Sequence, residues 1–367
     1  MSITFETRDA LLKPLQTIAG IVEKRHTLPI LSNVLIQKHA NTLQLSATDL
    51  EIEIETSVTG GFDSSEASFT VSAKKLIDIL RSTADNQVVK IDLDQSKATL
   101  KCGKSRFSLQ TLPAQDFPRL NIGNLDVSLR IPQKALKALL GQVLYAMAQQ
   151  DIRYYLNGLL IVIENKEMRA VATDGHRLAF SAFALETDLP KREAILPRKT
   201  VLELNKLLRD TDDEILIEFG NNQVRFTLDG TVMTSKVIDG KFPDYQRVIP
   251  QQNNKVVTLN RVQFLQALQR AAILANEKFR GVNLQLSDNE LKIVCMNSEQ
   301  EEAEDTLDIE YAYSPLNIGF NIAYLLDVLN NTSCETIFCT FGDNNSSALF
   351  TVPDHSYFKY IVMPMRI

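Results

Sequence analysis

A long internal repeat constrains this chain more than any other feature. ATDLEIEI at 47–54 returns as ATDGHRLAF at 172–180, with a degenerate third form, CMNSEQEEA, at 295–303. DFPRL at 116–120 returns as KFPDY at 241–245, an offset of 125 residues. One folding unit is therefore used in tandem, and any fold must be built from copies that cover one another.

Each copy opens with a short alternating strand and an amphipathic segment, at 2–22, 127–147 and 256–275. In the second, Leu136, Leu139, Leu140, Val143, Leu144 and Met147 recur at three- and four-residue steps, which predicts one helix face. Pro132 suits a first helical turn, whereas Pro14 should kink its helix. Hairpin patterns follow at 33–56, 158–183 and 281–305. A second strand and helix come next, at 69–83, 194–210 and 318–332, and further hairpins close the unit. The expected class is α+β: three tandem repeats of a duplicated strand-helix-strands unit, with two helices on antiparallel sheets per repeat. Polar stretches near 122–126 and 250–254 put the repeats at 1–124, 125–252 and 253–367.

The first ten residues are charged and alternating, unlike a signal peptide, and no run approaches the ~20 apolar residues of a membrane span. Cys102, Cys295, Cys334 and Cys339 lack metal-ligand spacing, so reduced thiols in a cytoplasmic protein, with no metal and no cofactor, are expected.

Net charge is −6, yet five of the six predicted helices carry +2 or +3 and the sixth −1. They total +10, leaving −16 for the rest. Helices sharing one surface would give a basic face suited to sequence-independent contact with duplex phosphates. Arg25, Arg81, Lys137, Arg198 and Arg280 are the candidates, with Gln150, Tyr154 and Tyr155 just beyond the third helix.

Nucleotide-binding, zinc-protease and serine-hydrolase motifs are missing. The one acid-base pair worth weighing is Asp174 with His176, the basis for an alternative reading as a small-molecule hydrolase or isomerase. A monomeric nonspecific DNA-binding module is a second alternative.

TLPIL (27–31), SRFSLQTLPAQDFP (105–118), QDIRYYLNG (150–158), VATDGHRLA (171–179), DGKFPDYQRV (239–248), AAILANEKFRGV (271–282), EQEEAE (299–304) and VMPMRI (362–367) span all three repeats. In these the chain resembles the bacterial β sliding clamps, the processivity subunits of replicative DNA polymerase III. The resemblance implies a noncatalytic, head-to-tail homodimer forming a six-domain ring around duplex DNA. It implies a subunit contact of Phe107 and Leu109 against Ile273 and Leu274, with Lys104 and Arg106 facing Glu301, Glu302 and Glu304. It also implies a pocket for short partner motifs carrying a glutamine and a leucine-phenylalanine pair. That pocket maps onto Leu156, Thr173, Gly175, His176, Arg177, Leu178, Pro243, Arg247, Val248, Asn321, Tyr324, Ser347, Met363, Pro364, Met365 and Arg366. Polymerase, an ATP-driven clamp loader, and repair and translesion proteins are the implied partners. Asn345 stands where the family often has an apolar residue.

Overall fold

The computed structural model describes the whole chain except residues 1, 24–27, 61, 63–64, 95, 354 and 367 and the side chains of His355 and Ser356. Its order is one motif written six times: strand, helix, three strands. The first repeat holds β1 (Ser2–Phe5), α1 (Asp9–Ile18), β2 (Asn33–His39), β3 (Thr42–Thr48) and β4 (Ile52–Thr59), then β5 (Ala67–Ser72), α2 (Ala73–Arg81), β6 (Val89–Asp94), β7 (Lys97–Cys102) and β8 (Ser105–Leu112). The second holds β9 (Leu125–Pro132), α3 (Gln133–Gly141), β10 (Gly158–Glu164), β11 (Glu167–Thr173) and β12 (Arg177–Ala184), then β13 (Arg192–Pro197), α4 (Arg198–Leu207), β14 (Glu214–Gly220), β15 (Gln223–Leu228) and β16 (Thr231–Lys236). The third holds β17 (Lys255–Asn260), α5 (Arg261–Ala271), β18 (Gly281–Ser287), β19 (Glu290–Met296) and β20 (Glu302–Asp308), then β21 (Leu316–Asn321), α6 (Ile322–Asn330), β22 (Thr336–Phe341), β23 (Ala348–Val352) and β24 (His355–Val362).

The strands assort into six four-stranded antiparallel sets, because the strand before each helix pairs in the other half's set. Residues 1–134 with 202–237 form one compact unit and 135–201 with 238–367 another. In the first unit the sets join as β1-β6-β7-β8-β5-β2-β3-β4-β16-β15-β14-β9. The second unit holds β13-β10-β11-β12-β24-β23-β22-β17 and, separately, β20-β19-β18-β21. The middle repeat is thus shared out, because its last strands pair with neighbours: β16 with β4 and β12 with β24.

Within each unit, helices cover sheets through apolar stripes. α1 buries Leu11, Leu12, Leu15 and Ile18 and α2 buries Ala73, Leu76, Ile77 and Leu80 in the first unit. In the second, α5 buries Phe264, Ala267 and Leu268, and α6 buries Leu325, Val328 and Leu329. Each such leucine or phenylalanine contributes about 1.5–3 kcal/mol of burial. Asn260 caps α5, its Oδ1 accepting from the amides of Val262 and Gln263 at 3.1 and 3.0 Å.

The helices are shorter than the periodicity predicts. α3 stops at Gly141, so Val143 and Met147 are buried from a non-helical segment and a 3-10 turn at Leu144–Ala146. Pro132 closes β9 opposite Glu214 rather than opening α3. α1 runs through Pro14 without interruption and ends at Ile18. With these limits α1 is neutral and α2 to α5 carry +2 each. All four cysteines are free, and burial pushes the Cys295 thiol up to about 11. No helix among the described residues is long and apolar enough to cross a membrane.

Gly158 opens β10 where a Cβ would lie 2.6 Å from the Leu196 carbonyl oxygen and 2.8 Å from the Ile195 and Ile238 side chains. Gly158→Ala should therefore destabilise the protein by about 1–3 kcal/mol. Gly141, with nothing within 4 Å of its ideal Cβ, should tolerate alanine or gain slightly. Urea denaturation of the two variants checks the contrast.

Candidate partner-binding site and nucleic-acid surface

The repeated Thr-Asp is a turn. In the first copy Asp49 Oδ1 accepts from the amides of Glu51 and Ile52 at 3.0 and 2.7 Å, and Thr48 Oγ1 donates to the Ile52 carbonyl at 2.9 Å. In the second, Asp174 Oδ1 accepts from His176 and Arg177 at 2.9 and 3.1 Å, and Thr173 Oγ1 donates to the Arg177 carbonyl at 2.5 Å. In the third, Asn297 Oδ1 accepts from Glu299 and Glu301 at 2.9 and 3.0 Å. Each turn launches the last strand of its half-unit, β4, β12 or β20. In the first two copies the residue after the aspartate takes positive φ, Leu50 (76°) and Gly175 (91°); in the third, one residue longer, Gln300 does (65°), three residues after Asn297.

That residue distinguishes the copies. Leu50 packs on the buried cluster of Ile30, Leu31, Leu35 and Phe117. Gly175 brings no side chain, and an added Cβ there would lie 2.9 Å from an Arg153 guanidinium nitrogen. The first copy is therefore filled by its own apolar side chain, and the second by the exposed guanidinium of Arg153. Asp151 pairs with Arg153 through Oδ2 at 2.8 Å, and that hydrogen bond holds the Asp151 carboxyl down to about 2.

Arg177, at the head of β12, ties this turn to distant elements of the same unit. Its Nε pairs with Asp174 Oδ2 at 3.1 Å, Nη1 pairs with Asp327 on α6, and Nη2 donates to the Tyr145 carbonyl at 2.7 Å. The guanidinium carbon lies 4.5 Å from the Tyr324 ring centroid. Tyr360 donates its hydroxyl to the Tyr324 carbonyl at 3.0 Å, and burial raises its pKa. The C-terminal tail is pinned beside this hub: Met363 N donates to the His176 carbonyl at 2.9 Å and Met365 N to the Gly319 carbonyl at 2.8 Å.

Around these contacts Leu156, Thr173 and Leu178 are buried, whereas Gly175, His176, Pro243, Arg247, Val248, Met363 and Arg366 are exposed. Pro364 and Met365 are half-buried. Asn321 caps α6 through its Oδ1, and the Ser347 carbonyl accepts from Asn253 at 2.9 Å. Asn345 belongs to an exposed polar turn, its amide bonded to Asp343. Sequence reasoning missed Arg153 and Ile361, the latter paired with Leu178 and packed in one buried cluster with it. Alternation along β24 puts Ile361 in phase with the exposed Tyr357 and half-buried Lys359, so it did not flag Ile361, and nothing local could have flagged Arg153.

Asp174 spends both carboxylate oxygens on the turn and on Arg177, leaving the exposed His176 ring without a carboxylate hydrogen bond among the described residues. That arrangement does not favour general acid-base work. Among the described residues no cluster of three or more His, Cys, Asp or Glu could hold a metal.

Of the nucleic-acid candidates, Arg81, Gln150, Tyr154 and Arg280 are exposed and Lys137 is half-buried. Arg198 is half-buried and donates to the Met147 carbonyl at 3.1 Å. Tyr155 packs on the buried cluster under Phe242 and Tyr245. Arg25 lies outside the described residues.

Of the candidate joint residues, Lys104 and Arg106 are exposed, Phe107 and Leu274 half-buried, Leu109 buried and Ile273 78% exposed. Glu301, Glu302 and Glu304 lie along an exposed edge, Glu304 pairing with Lys292 at 2.7 Å.

Family models for the DNA polymerase III beta subunit match throughout: the N-terminal domain over 1–121, the central domain over 130–244 and the C-terminal domain over 246–366. The chain is 46% identical over 363 residues to the beta sliding clamp of Pseudomonas aeruginosa, covering 98% of each. It is 43% identical to that of Escherichia coli, covering 100% of each. A solved sliding clamp from Pseudomonas aeruginosa bound to griselimycin superposes with a TM-score of 0.96 at 45% identity, covering 100% of both chains. A clamp from Caulobacter crescentus gives 0.94 at 35%, again covering 100% of both.

Arg177→Met should cost about 3 kcal/mol in urea denaturation, because it strands two carboxylates, and Arg177→Lys should recover little because an ammonium cannot fork. Asp151 should remain ionised to about pH 2 by carboxyl NMR. Its folded pKa is depressed, so its stabilising share is complete above about pH 4 and fades as pH falls towards 2; Arg153→Ala should move the midpoint up towards the ordinary ~3.9.

Proposed function

This chain belongs to the DNA polymerase III beta subunit family, and from that premise we propose that it is a sliding clamp. In this reading it encircles duplex DNA and tethers the replicative polymerase for processive synthesis without catalysing a reaction. An ATP-driven loader opens it, and repair and translesion proteins exchange at the same pocket. Repeats 1–124, 125–252 and 253–367, present in two head-to-tail copies, supply the ring's six domains.

One observation carries the ring. Two joints within the chain follow one rule: the last strand of a first half-unit pairs with the last strand of the next repeat's second half-unit, β4 with β16 and β12 with β24. The remaining such strands are β20 and β8. β20 is a sheet edge. Among the described residues β8 pairs with β5 only through Thr111 and Leu112, so Ser105–Gln110 has β7 on one side and no ladder on the other. Backbone groups left open at two edges that the rule matches to each other call for a second copy, and a heterologous contact that closes in two steps makes a ring. Ile273 supplies exposed apolar area at this joint, Lys104 and Arg106 the cations, and Glu301, Glu302 and Glu304 the opposing charge. The apolar residues hold it and the charges set register.

The basic helices α2 to α5 suit phosphate contact that positions the duplex without reading sequence. The exposed turn at Gly175 and His176, with Arg153 against it and the adaptable thioethers of Met363 and Met365 in the adjoining tail, suits a short apolar motif.

Ile273→Asp should convert a dimer into monomers by analytical ultracentrifugation while leaving the far-UV circular dichroism spectrum intact. A wild-type chain that sediments as a monomer at micromolar concentration would remove the ring.

A further inference from the structure

β12 and β24 carry two successive rungs on one sheet face: Leu178 with Ile361, then Phe180 with Lys359. The first rung lies in one buried cluster with Phe242 and Tyr245, and its Leu178 is one of the residues mapped to the partner pocket. The second opens into a cavity of about 400 Å³ whose aromatic lining is Phe180, Tyr245 and Tyr357 and whose charged lining is Arg169, Lys359 and the single carboxylate Glu167. Same-face rungs are about 7 Å apart. The cavity thus continues the sheet face from which the pocket rises.

Two cations against the one carboxylate leave its lining with one excess positive charge, because Glu167 is taken by Arg169. Arg169 is paired with Glu164 at 3.4 Å and with Glu167. Lys359 has no carboxylate partner among the described residues; its ammonium lies 5.7 Å from the Phe180 ring centroid. Phe180 and Tyr245 stand 6.0 Å apart between centroids, and Tyr357 is 49% exposed. A cation over an aromatic floor, with a second aromatic rim, suits a carboxylate side chain whose methylenes lie on the rings.

We propose that this cavity is a second subsite of the partner groove, which takes an acidic residue flanking the apolar anchor of a bound peptide. An extended peptide rises about 3.4 Å per residue, and Lys359 lies three strand residues before the end of β24 at Val362, next to Met363, so the acid sits about two to four residues from the anchor. This rests on the pocket reading above. It predicts that partners with the same anchor are ranked by flanking charge, and that salt narrows the ranking.

The test is fluorescence anisotropy with the full chain and labelled peptides. One holds only a glutamine and leucine-phenylalanine motif; two others add an aspartate-glutamate pair at either end, and matched controls add lysines. One acid-extended peptide should bind about 3- to 5-fold tighter than the short one at low salt. Its lysine control should not, and Lys359→Met should abolish the gain while leaving short-peptide binding unchanged. Tyr357→Ala should diminish the same gain. Equal binding of short and extended peptides, or a gain that survives Lys359→Met, overturns the subsite and leaves the pocket standing. Failure of the short peptide to bind overturns both.

Discussion

The architecture depends on what happens at the edge of a small sheet. Each four-stranded antiparallel set, three strands of one half-unit and one of the other, is too narrow to hide its last strand, and an open ladder of amides and carbonyls is costly when buried and adhesive when exposed. Pairing β4 with β16 and β12 with β24 answers that requirement twice within the chain. The compact units therefore cut across the middle repeat. On the proposed reading β8 and β20 answer it a third time through a second copy, so ring closure is the same interaction that holds neighbouring repeats together. Topological grip then replaces affinity: weak, nonspecific contacts with phosphate allow sliding while the closed ring prevents loss.

The element repeated most faithfully in sequence is the one that starts these joint strands. Thr48-Asp49, Thr173-Asp174 and Asn297 satisfy backbone amides at a tight turn, which explains their recurrence without any shared chemistry of reaction. Functional difference enters through what the turn carries. Leu50 packs on its own apolar cluster, whereas at Gly175 the Arg153 guanidinium takes the adjacent space. Arg177 then fixes the turn to α6 and to Tyr145, and the C-terminal tail is hydrogen-bonded alongside. A rigid backing of this kind lets exposed side chains accept varied motifs without rearranging the sheet beneath them.

Strands, hairpins and the threefold repeat were legible because period-two alternation and polar turns are local signals. Helix ends were less so. Leu136 to Met147 keeps helical spacing past Gly141, yet the chain must leave the helix to reach β10, and Val143 and Met147 are buried from a different conformation. The basic bias weakened for the same reason: the charges after Ile18 do not belong to α1. The Arg177 hub joins residues up to 183 positions apart, which no window along the sequence can anticipate. The open edge of β8 is equally invisible, since a strand's pattern records which face is buried and not whether its ladder is filled.

The most direct measurement is retention on DNA. The protein would be loaded by its ATP-driven loader onto nicked circular duplex, and bound protein counted before and after one linearising cut. The account predicts long retention on circles and rapid loss once ends are present. Equal loss from circles and linear DNA would contradict it, because binding by surface contact alone is indifferent to whether the duplex has an end.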